Sequence, residues 1–164
     1  MTTPFAPIIM GSKADLEHGR EIAAGLATFG IDTEIRVASA HKATRYLMDL
    51  LAVYEADPRP KVYITVAGRS NALSAVVDAN ALAPVIACPP YSDRFGGADV
   101  FSTLRMPSGL APALVMEPRD AAVLAAKILS LSVPRLREAI EALHRLNEDR
   151  VIADDHEVVR QAKG

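Results

Sequence analysis

The sequence predicts an α/β protein: an open parallel sheet with helices on both faces, and one extra C-terminal helix beyond the sheet pattern. Three observations predict it. Short apolar runs rich in β-branched residues alternate with segments whose apolar residues recur at helical spacing. The runs at 5–10, 61–67 and 83–88 are continuously apolar or nearly so, as strands buried on both faces are. No repeat, low-complexity segment or linker divides the 164 residues, a length that suits one domain with a substantial core. Residues 1–164 therefore read as a single domain, with its sheet core over about 5–131 and the extra helix over about 134–150.

Taken in order, Ile8-Ile9-Met10 ends the first strand and Gly11 punctuates it. Ser12-Lys13-Ala14-Asp15 matches a capping box with Asp in the place of Glu or Gln. Leu16, Ile22, Ala23, Leu26 and Phe29 form the apolar stripe of the first helix, and Gly30 suits the position just past its end. Ile31, Thr33, Ile35 and Val37 share one face of a second strand over 31–38. A second helix over 43–55 carries Tyr46, Leu47, Leu50, Leu51 and Tyr54 on its apolar face, and Asp57-Pro58-Arg59-Pro60 turns the chain. The third strand, 61–67, stops at Gly68. A third helix over 71–81 and a fourth strand over 83–88 follow.

The connection from Pro89 to Gly109 is too long for a plain link, and 99–104 can form a small helix within it. Ala113-Leu114-Val115-Met116 is a fifth short strand. Pro118 opens an Ala-rich helix that runs to about Leu131, and Pro134 opens the last one, with Leu136, Ile140, Leu143 and Leu146 as its stripe. That stripe needs cover from this domain or from a neighbouring subunit. The charged tail starts at about Asp149.

Bulk properties exclude several classes. The formal net charge of −2 gives no global field for nucleic acid, and few aromatics and no Trp leave no stacking platform. One cysteine, Cys88, rules out an intrachain disulfide framework and fits a reducing compartment. No run approaches the ~18 apolar residues of a membrane span. Met1-Thr2-Thr3-Pro4 lacks the charged and apolar regions of a leader. The expectation is a cytoplasmic protein without nucleic-acid or membrane partners.

Three turns follow strands and open helices: Gly11-Ser12-Lys13-Ala14-Asp15, Ser39-Ala40-His41-Lys42 and Gly68-Arg69-Ser70-Asn71-Ala72-Leu73. Ligands bind at the carboxyl ends of such strands, so the three turns read as one site for a phosphorylated ligand. His41 is its one obvious proton-transfer group. Lys42 and Arg69 are phosphate partners or solvated charges. Ser12 and Asp15 cap a helix, present an anion-binding N-terminus, or both, with Asp15 suited to ribose hydroxyls. His18, His144 and His156 lie in helical or tail segments without metal-ligand spacing to His41 or Cys88, which argues against zinc. Cys88, with no basic partner near it in sequence, reads as a packed small hydrophobe. Neither a P-loop nor a dinucleotide fingerprint is present.

These turns, with Pro84-Val85-Ile86-Ala87-Cys88-Pro89-Pro90 and Ser102-Thr103-Leu104-Arg105-Met106-Pro107-Ser108-Gly109, resemble the aminoimidazole ribonucleotide carboxylases of purine biosynthesis, the PurE family. The resemblance covers about residues 5–131. It implies a three-layer flavodoxin-like fold, a homo-octamer whose C-terminal helices reach into neighbouring subunits, and reversible carboxylation of 5-aminoimidazole ribonucleotide (AIR) by CO2 to 4-carboxy-5-aminoimidazole ribonucleotide (CAIR). It also implies roles. Ser12 and Asp15 hold the ribose and phosphate region, and Gly11 allows close approach. Ser39, Lys42, Arg69 and Ser70 line the phosphate and carboxylate side, and Ala40, Gly68, Asn71, Ala72 and Leu73 also contact the substrate, with Ala72 leaving an apolar slot for CO2. His41 moves the proton at the imidazole carbon. No ATP, biotin or metal is implied; CO2 is a substrate.

Class I members of the family are N5-carboxyaminoimidazole ribonucleotide mutases, with Ser-Ala-His-Arg in one loop and a Gly-Gly-Ala-Ala-His-Leu type sequence in the other. Lys42 and Arg69-Ser70-Asn71-Ala72-Leu73 depart from both and resemble the CO2-using class II. The mutase and a non-catalytic nucleotide-binding module stand as the alternatives.

Overall fold

Pro4 and Pro7 have no N–H to give a ladder, so the first apolar run becomes a strand only from Ile8. In the computed structural model, which describes residues 3–162, β1 is Ile8–Met10. Met1 and Thr2, part of the stretch read as lacking a leader, lie outside the described residues. β2 (Ile35–Val37), β3 (Tyr63–Val66), β4 (Val85–Ala87) and β5 (Ala113–Leu114) complete a parallel sheet in the order β2-β1-β3-β4-β5. The second strand is shorter than the alternating run 31–38, because β1 offers it only three partners, Ile8 opposite Ile35 through Met10 opposite Val37. It is an edge strand, with Val37 exposed.

The helices are α1 (Leu16–Thr28), α2 (Thr44–Glu55), α3 (Ala72–Asn80), α4 (Phe101–Leu104), α5 (Pro118–Leu129) and α6 (Arg135–Gln161). Pleating divides the sheet's side chains between two faces. Ile8, Met10, Ile64, Val66 and Ile86 pack on Ile22 and Leu26 of α1, Ala121 and Ala125 of α5, and Leu136 and Ile140 of α6. Ile9, Tyr63 and Val85 pack on Leu47, Leu51 and Tyr54 of α2 and on Leu73 and Val77 of α3. The result is the expected three-layer flavodoxin-like arrangement. Each fully buried Ile, Leu, Val or Met among them contributes about 1.5–3 kcal/mol. The inner layer of helices is tight: a Cβ on Gly25 of α1 would lie 2.8 Å from the Ala122 methyl of α5.

Two helical expectations change. The connection 89–109 holds a longer structured stretch than 99–104: a 3-10 segment, Arg94–Val100, precedes α4, and Phe95, Gly96 and Gly97 break it with positive φ. The last helix does not end near residue 150 but continues to Gln161. The charged stretch read as a tail contains no Gly or Pro until Gly164, and pairs such as Gln161 with Glu157 lie one turn apart, which favours a solvated helix. Nor does its whole stripe await a neighbour. Leu136 and Ile140 are buried and Leu143 half-buried against this chain's own core, while Leu146, Val151, Ile152, Val158 and Val159 are exposed. Arg135, at the start of α6, donates to the carbonyls of Phe29 and Gly30 at 2.9 and 2.8 Å and so closes the C-terminus of α1.

Strand order reverses between β1 and β3: the chain steps out to β2 on one side and onward through β4 and β5 on the other. Connections therefore leave that point to opposite faces and open a crevice at the strands' carboxyl ends.

Candidate active site

The crevice is level because the ladder runs past the strand ends. Gly11 N–H donates to Val66 O and Ala38 N–H to Met10 O, both at 2.9 Å. Three turns leave from this level. In the first, Ser12 Oγ accepts the Ala14 N–H at 3.2 Å and starts a 3-10 turn over Lys13–Asp15. The expected capping box does not form, because this extra turn moves the start of α1 to Leu16 and Asp15 makes no capping bond. The Asp15 carboxylate is thereby left to face the crevice. In the second, Ser39 Oγ accepts the Lys42 N–H at 3.3 Å, its carbonyl accepts the Ala43 N–H at 2.9 Å, and Thr44 Oγ1 donates to Ala40 O at 2.6 Å. These bonds fix the backbone around His41 while its imidazole stays exposed.

The third turn is fixed from inside. Asn71 is buried and caps α3: its Oδ1 accepts the Ser74 N–H at 3.2 Å and Ser74 Oγ at 2.8 Å. Ser74 Oγ lies 2.7 Å from Thr65 Oγ1 on β3, and Asn71 Nδ2 donates to Thr103 Oγ1 on α4 at 2.8 Å. A closed chain of buried polar groups thus ties the turn to the sheet and to α4, with its hydrogen-bonding capacity used internally.

The three turns enclose a cleft of about 690 Å³. Gly11, Ser12, Asp15, Ser39, Ala40, His41, Lys42, Gly68, Arg69, Ser70 and Leu73 all line it. Asn71 and Ala72 do not: Asn71 points inward, and Ala72 sits on the first turn of α3 outside the lining. A second, mostly apolar chamber of about 290 Å³ adjoins the cleft between Gly68, Pro89, Pro90, Val100 and Met116.

The sequence marks the connection as too long for a plain link but marks none of its residues as site residues; Pro90, Tyr91, Ser92, Arg94 and Asp99 complete the cleft. Lys42, Arg69 and Arg94 give it three cationic groups against the carboxylates of Asp15 and Asp99, a balance that favours an anionic ligand. Burial raises the Asp15 carboxyl above its ordinary range, and the neighbouring His18 works against that shift.

Cys88 has the basic partner in space that it lacked in sequence. His18 Nε2 lies 3.0 Å from the Cys88 carbonyl oxygen and 3.4 Å from its Sγ. A carbonyl only accepts, so Nε2 carries the proton and donates it there. It is then no base for the thiol. Burial, with Glu117 and Asp120 nearby, pushes Cys88 up to about 12. Cys88 is a neutral, fully buried packing residue.

Among the described residues, no group of three or more His, Cys, Asp or Glu side chains is placed to hold a metal ion, and no helix is long and apolar enough to cross a membrane.

A family model described as AIR carboxylase matches residues 6–150. A phosphoribosylaminoimidazole carboxylase of Treponema denticola is 49% identical over 157 residues, 96% of this chain and 99% of that protein. One of Archaeoglobus fulgidus is 50% identical over 153 residues, 93% of this chain and 84% of that protein. A bifunctional phosphoribosylaminoimidazole carboxylase/phosphoribosylaminoimidazole succinocarboxamide synthetase of Homo sapiens is 45% identical over 125 residues, which are 76% of this chain and 29% of that longer protein. The crystal structure of Treponema denticola PurE superposes with a TM-score of 0.92 at 49% identity, covering 94% of this chain and 98% of that one.

Proposed function

The chain belongs to the AIR carboxylase family, and from that premise we propose that it is a phosphoribosylaminoimidazole carboxylase that joins CO2 to AIR, giving CAIR, in purine biosynthesis. The observation that carries the reading is the meeting of His41 with Lys42, Arg69 and Asp15 in one cleft at the strand switch point.

The chemistry balances with these groups. The imidazole carbon of AIR attacks CO2 through its enamine character, forming the C–C bond and leaving that carbon with both hydrogen and carboxylate. His41 removes the hydrogen as a proton, the electron pair returns to the ring, and aromaticity is restored; the reverse reaction returns the proton by the same group. Carbon, charge and protons close without ATP, biotin, a metal or a redox partner, so we assign no cofactor. Lys42, Arg69 and Ser70 hold the phosphate and new carboxylate. Asp15 and Ser12 hold the ribose side, and Gly11 admits the nucleotide closely. Burial of the ligand in the cleft removes water and strengthens these contacts.

We assign the chain to the CO2-using class and not to the mutases. Lys42 presents a point charge where the mutase loop has an arginine fork, and the third turn offers Arg69-Ser70-Asn71 with no histidine. The test sets both donors side by side. AIR with dissolved CO2 should give product at a rate that rises with CO2. In a CO2-scavenged reaction, N5-carboxyaminoimidazole ribonucleotide should give none directly, and its fast conversion there would reverse the class assignment. Formation of no product from either donor would favour the binding module.

The assembly we propose is a homo-octamer in the cytoplasm. The exposed apolar residues of α6 beyond Leu143 support an interface, since a helix with only solvent around it has no use for Leu146, Val151, Ile152, Val158 and Val159.

A further inference from the structure

Arg69 stands in the left-handed region, with φ 60°. An arginine rarely adopts it, because its Cβ crowds the following carbonyl. Such a conformation persists where the surroundings over-determine it, and it collects at ligand sites. Here one neighbouring segment holds both ends of the residue. Asp99 Oδ2 accepts the Arg69 N–H at 3.0 Å. Ser102 Oγ shares its one proton between the carbonyls of Asp99 at 2.8 Å and Arg69 at 3.1 Å, and it accepts the Asn71 N–H at 3.0 Å. The Asp99 carboxylate thus binds the arginine's backbone and not its guanidinium. Among the described residues, no carboxylate lies within ion-pair distance of that guanidinium. The cation remains available, exposed in the cleft.

We propose that Asp99 is a positioning residue for Arg69: its carboxylate holds the left-handed turn from which the guanidinium meets the anionic group of the substrate. The proposal rests on the reading of the cleft as an AIR site. It also explains why the 3-10 segment ahead of α4 closes over the third turn. That segment supplies the carboxylate, and Ser102 and Thr103 of α4 lock Asn71 beside it.

Asp99 itself lines the cleft, so the test must separate action through Arg69 from direct contact with the nucleotide. Wild type, Asp99→Ala, Arg69→Ala and the double variant form a cycle, with Asp99→Asn as the conservative partner. Removing a charge-assisted hydrogen bond from a turn that needs it should lower kcat/KM for AIR by roughly ten- to hundredfold, mainly through KM. Asp99→Asn keeps an oxygen acceptor and should recover most of that loss. In the Arg69→Ala background, Asp99→Ala should cost less than about twofold, since coupled residues are not additive. Equal losses in both backgrounds, or an Asn variant as poor as the Ala variant, would overturn the proposal. Circular dichroism checks each fold, and Asp99→Ser replaces Asp99→Ala in the cycle if the alanine variant does not fold. The same proteins are titrated with ribose 5-phosphate, which carries the anionic group without the imidazole. If wild type makes no CAIR, the proposed reaction fails while this binding cycle still decides the role of Asp99.

Discussion

Replacing His41 with asparagine removes a titrating group and leaves a polar side chain of similar reach. The structure sets the size of the effect. His41 is exposed, and its turn is held by Ser39, Ala40 and Thr44 through bonds that do not use the imidazole. Stability should therefore stay within about 0.5 kcal/mol of wild type, and the nucleotide's affinity should change little. Turnover should fall by ~10²–10⁴, or about 2.7–5.5 kcal/mol of transition-state stabilisation, which is the usual worth of a general acid–base group. Lysine ammonium and arginine guanidinium have no lone pair to accept the proton, so neither Lys42 nor Arg69 can substitute. Asp99 has one oxygen engaged by the Arg69 N–H. The remaining rival is Asp15, whose carboxyl burial makes more basic. The assay is CAIR formation from AIR at saturating CO2, with AIR binding followed by calorimetry. Retention of more than about a tenth of the wild-type rate would refute His41 as the proton carrier and move the role to Asp15.

Other outcomes follow from the same geometry. Asp15→Asn should raise the thermal midpoint of the ligand-free protein near neutral pH while weakening AIR binding. A carboxyl whose folded-state pKa is raised contributes stability only while protonated, fully below its unfolded value of 3.8, and loses it as pH climbs through the higher folded value; an unchanged or lower midpoint at pH 7 would count against this. Gly25→Ala should lower stability by a net ~0–2 kcal/mol, an overpacking cost against Ala122 less the ~1 kcal/mol gain in helix propensity. Thermal unfolding would report that as a drop of roughly 2–4 °C per kcal/mol. Truncation after Arg145 keeps Leu136, Ile140 and Leu143 and removes the exposed apolar residues beyond; light scattering should show a smaller, folded species, and an unchanged assembly would remove α6 from the interface.

The sheet, its helices and most of the cleft were legible because they depend on local pattern. A buried parallel strand reads as an apolar run, and a turn that leaves it for a helix is marked by Gly, Ser or Asn. The three turns could be read as one site because strand ends in an open sheet share a rim. Element ends were less legible. Pro7 shortened β1, β1 in turn limited β2, and the 3-10 turn at Lys13–Asp15 displaced the capping box that the spacing of Ser12 and Asp15 suggested. The limit on β2 and the displaced capping box depend on a neighbour's hydrogen bonds and not on the residue's own propensity.

What stayed illegible depends on contacts far apart in sequence. His18 and Cys88 are 70 positions apart, and Arg69 and Asp99 are 30 apart. No spacing rule reaches that far. Asn71 illustrates how residue type alone misleads. In a turn with Arg69 and Ser70 it reads as a ligand contact, yet its amide is used on both sides by Ser74 and Thr103. Burying a primary amide without partners costs roughly 2–7 kcal/mol, so a buried asparagine whose oxygen and nitrogen both bond internally is fixed in place. It gives the turn a rigid back, and the exposed front is left to Arg69 and Ser70. The division of labour is physical: the atoms that hold the loop cannot also hold the ligand, and the sequence lists both kinds side by side without marking which is which.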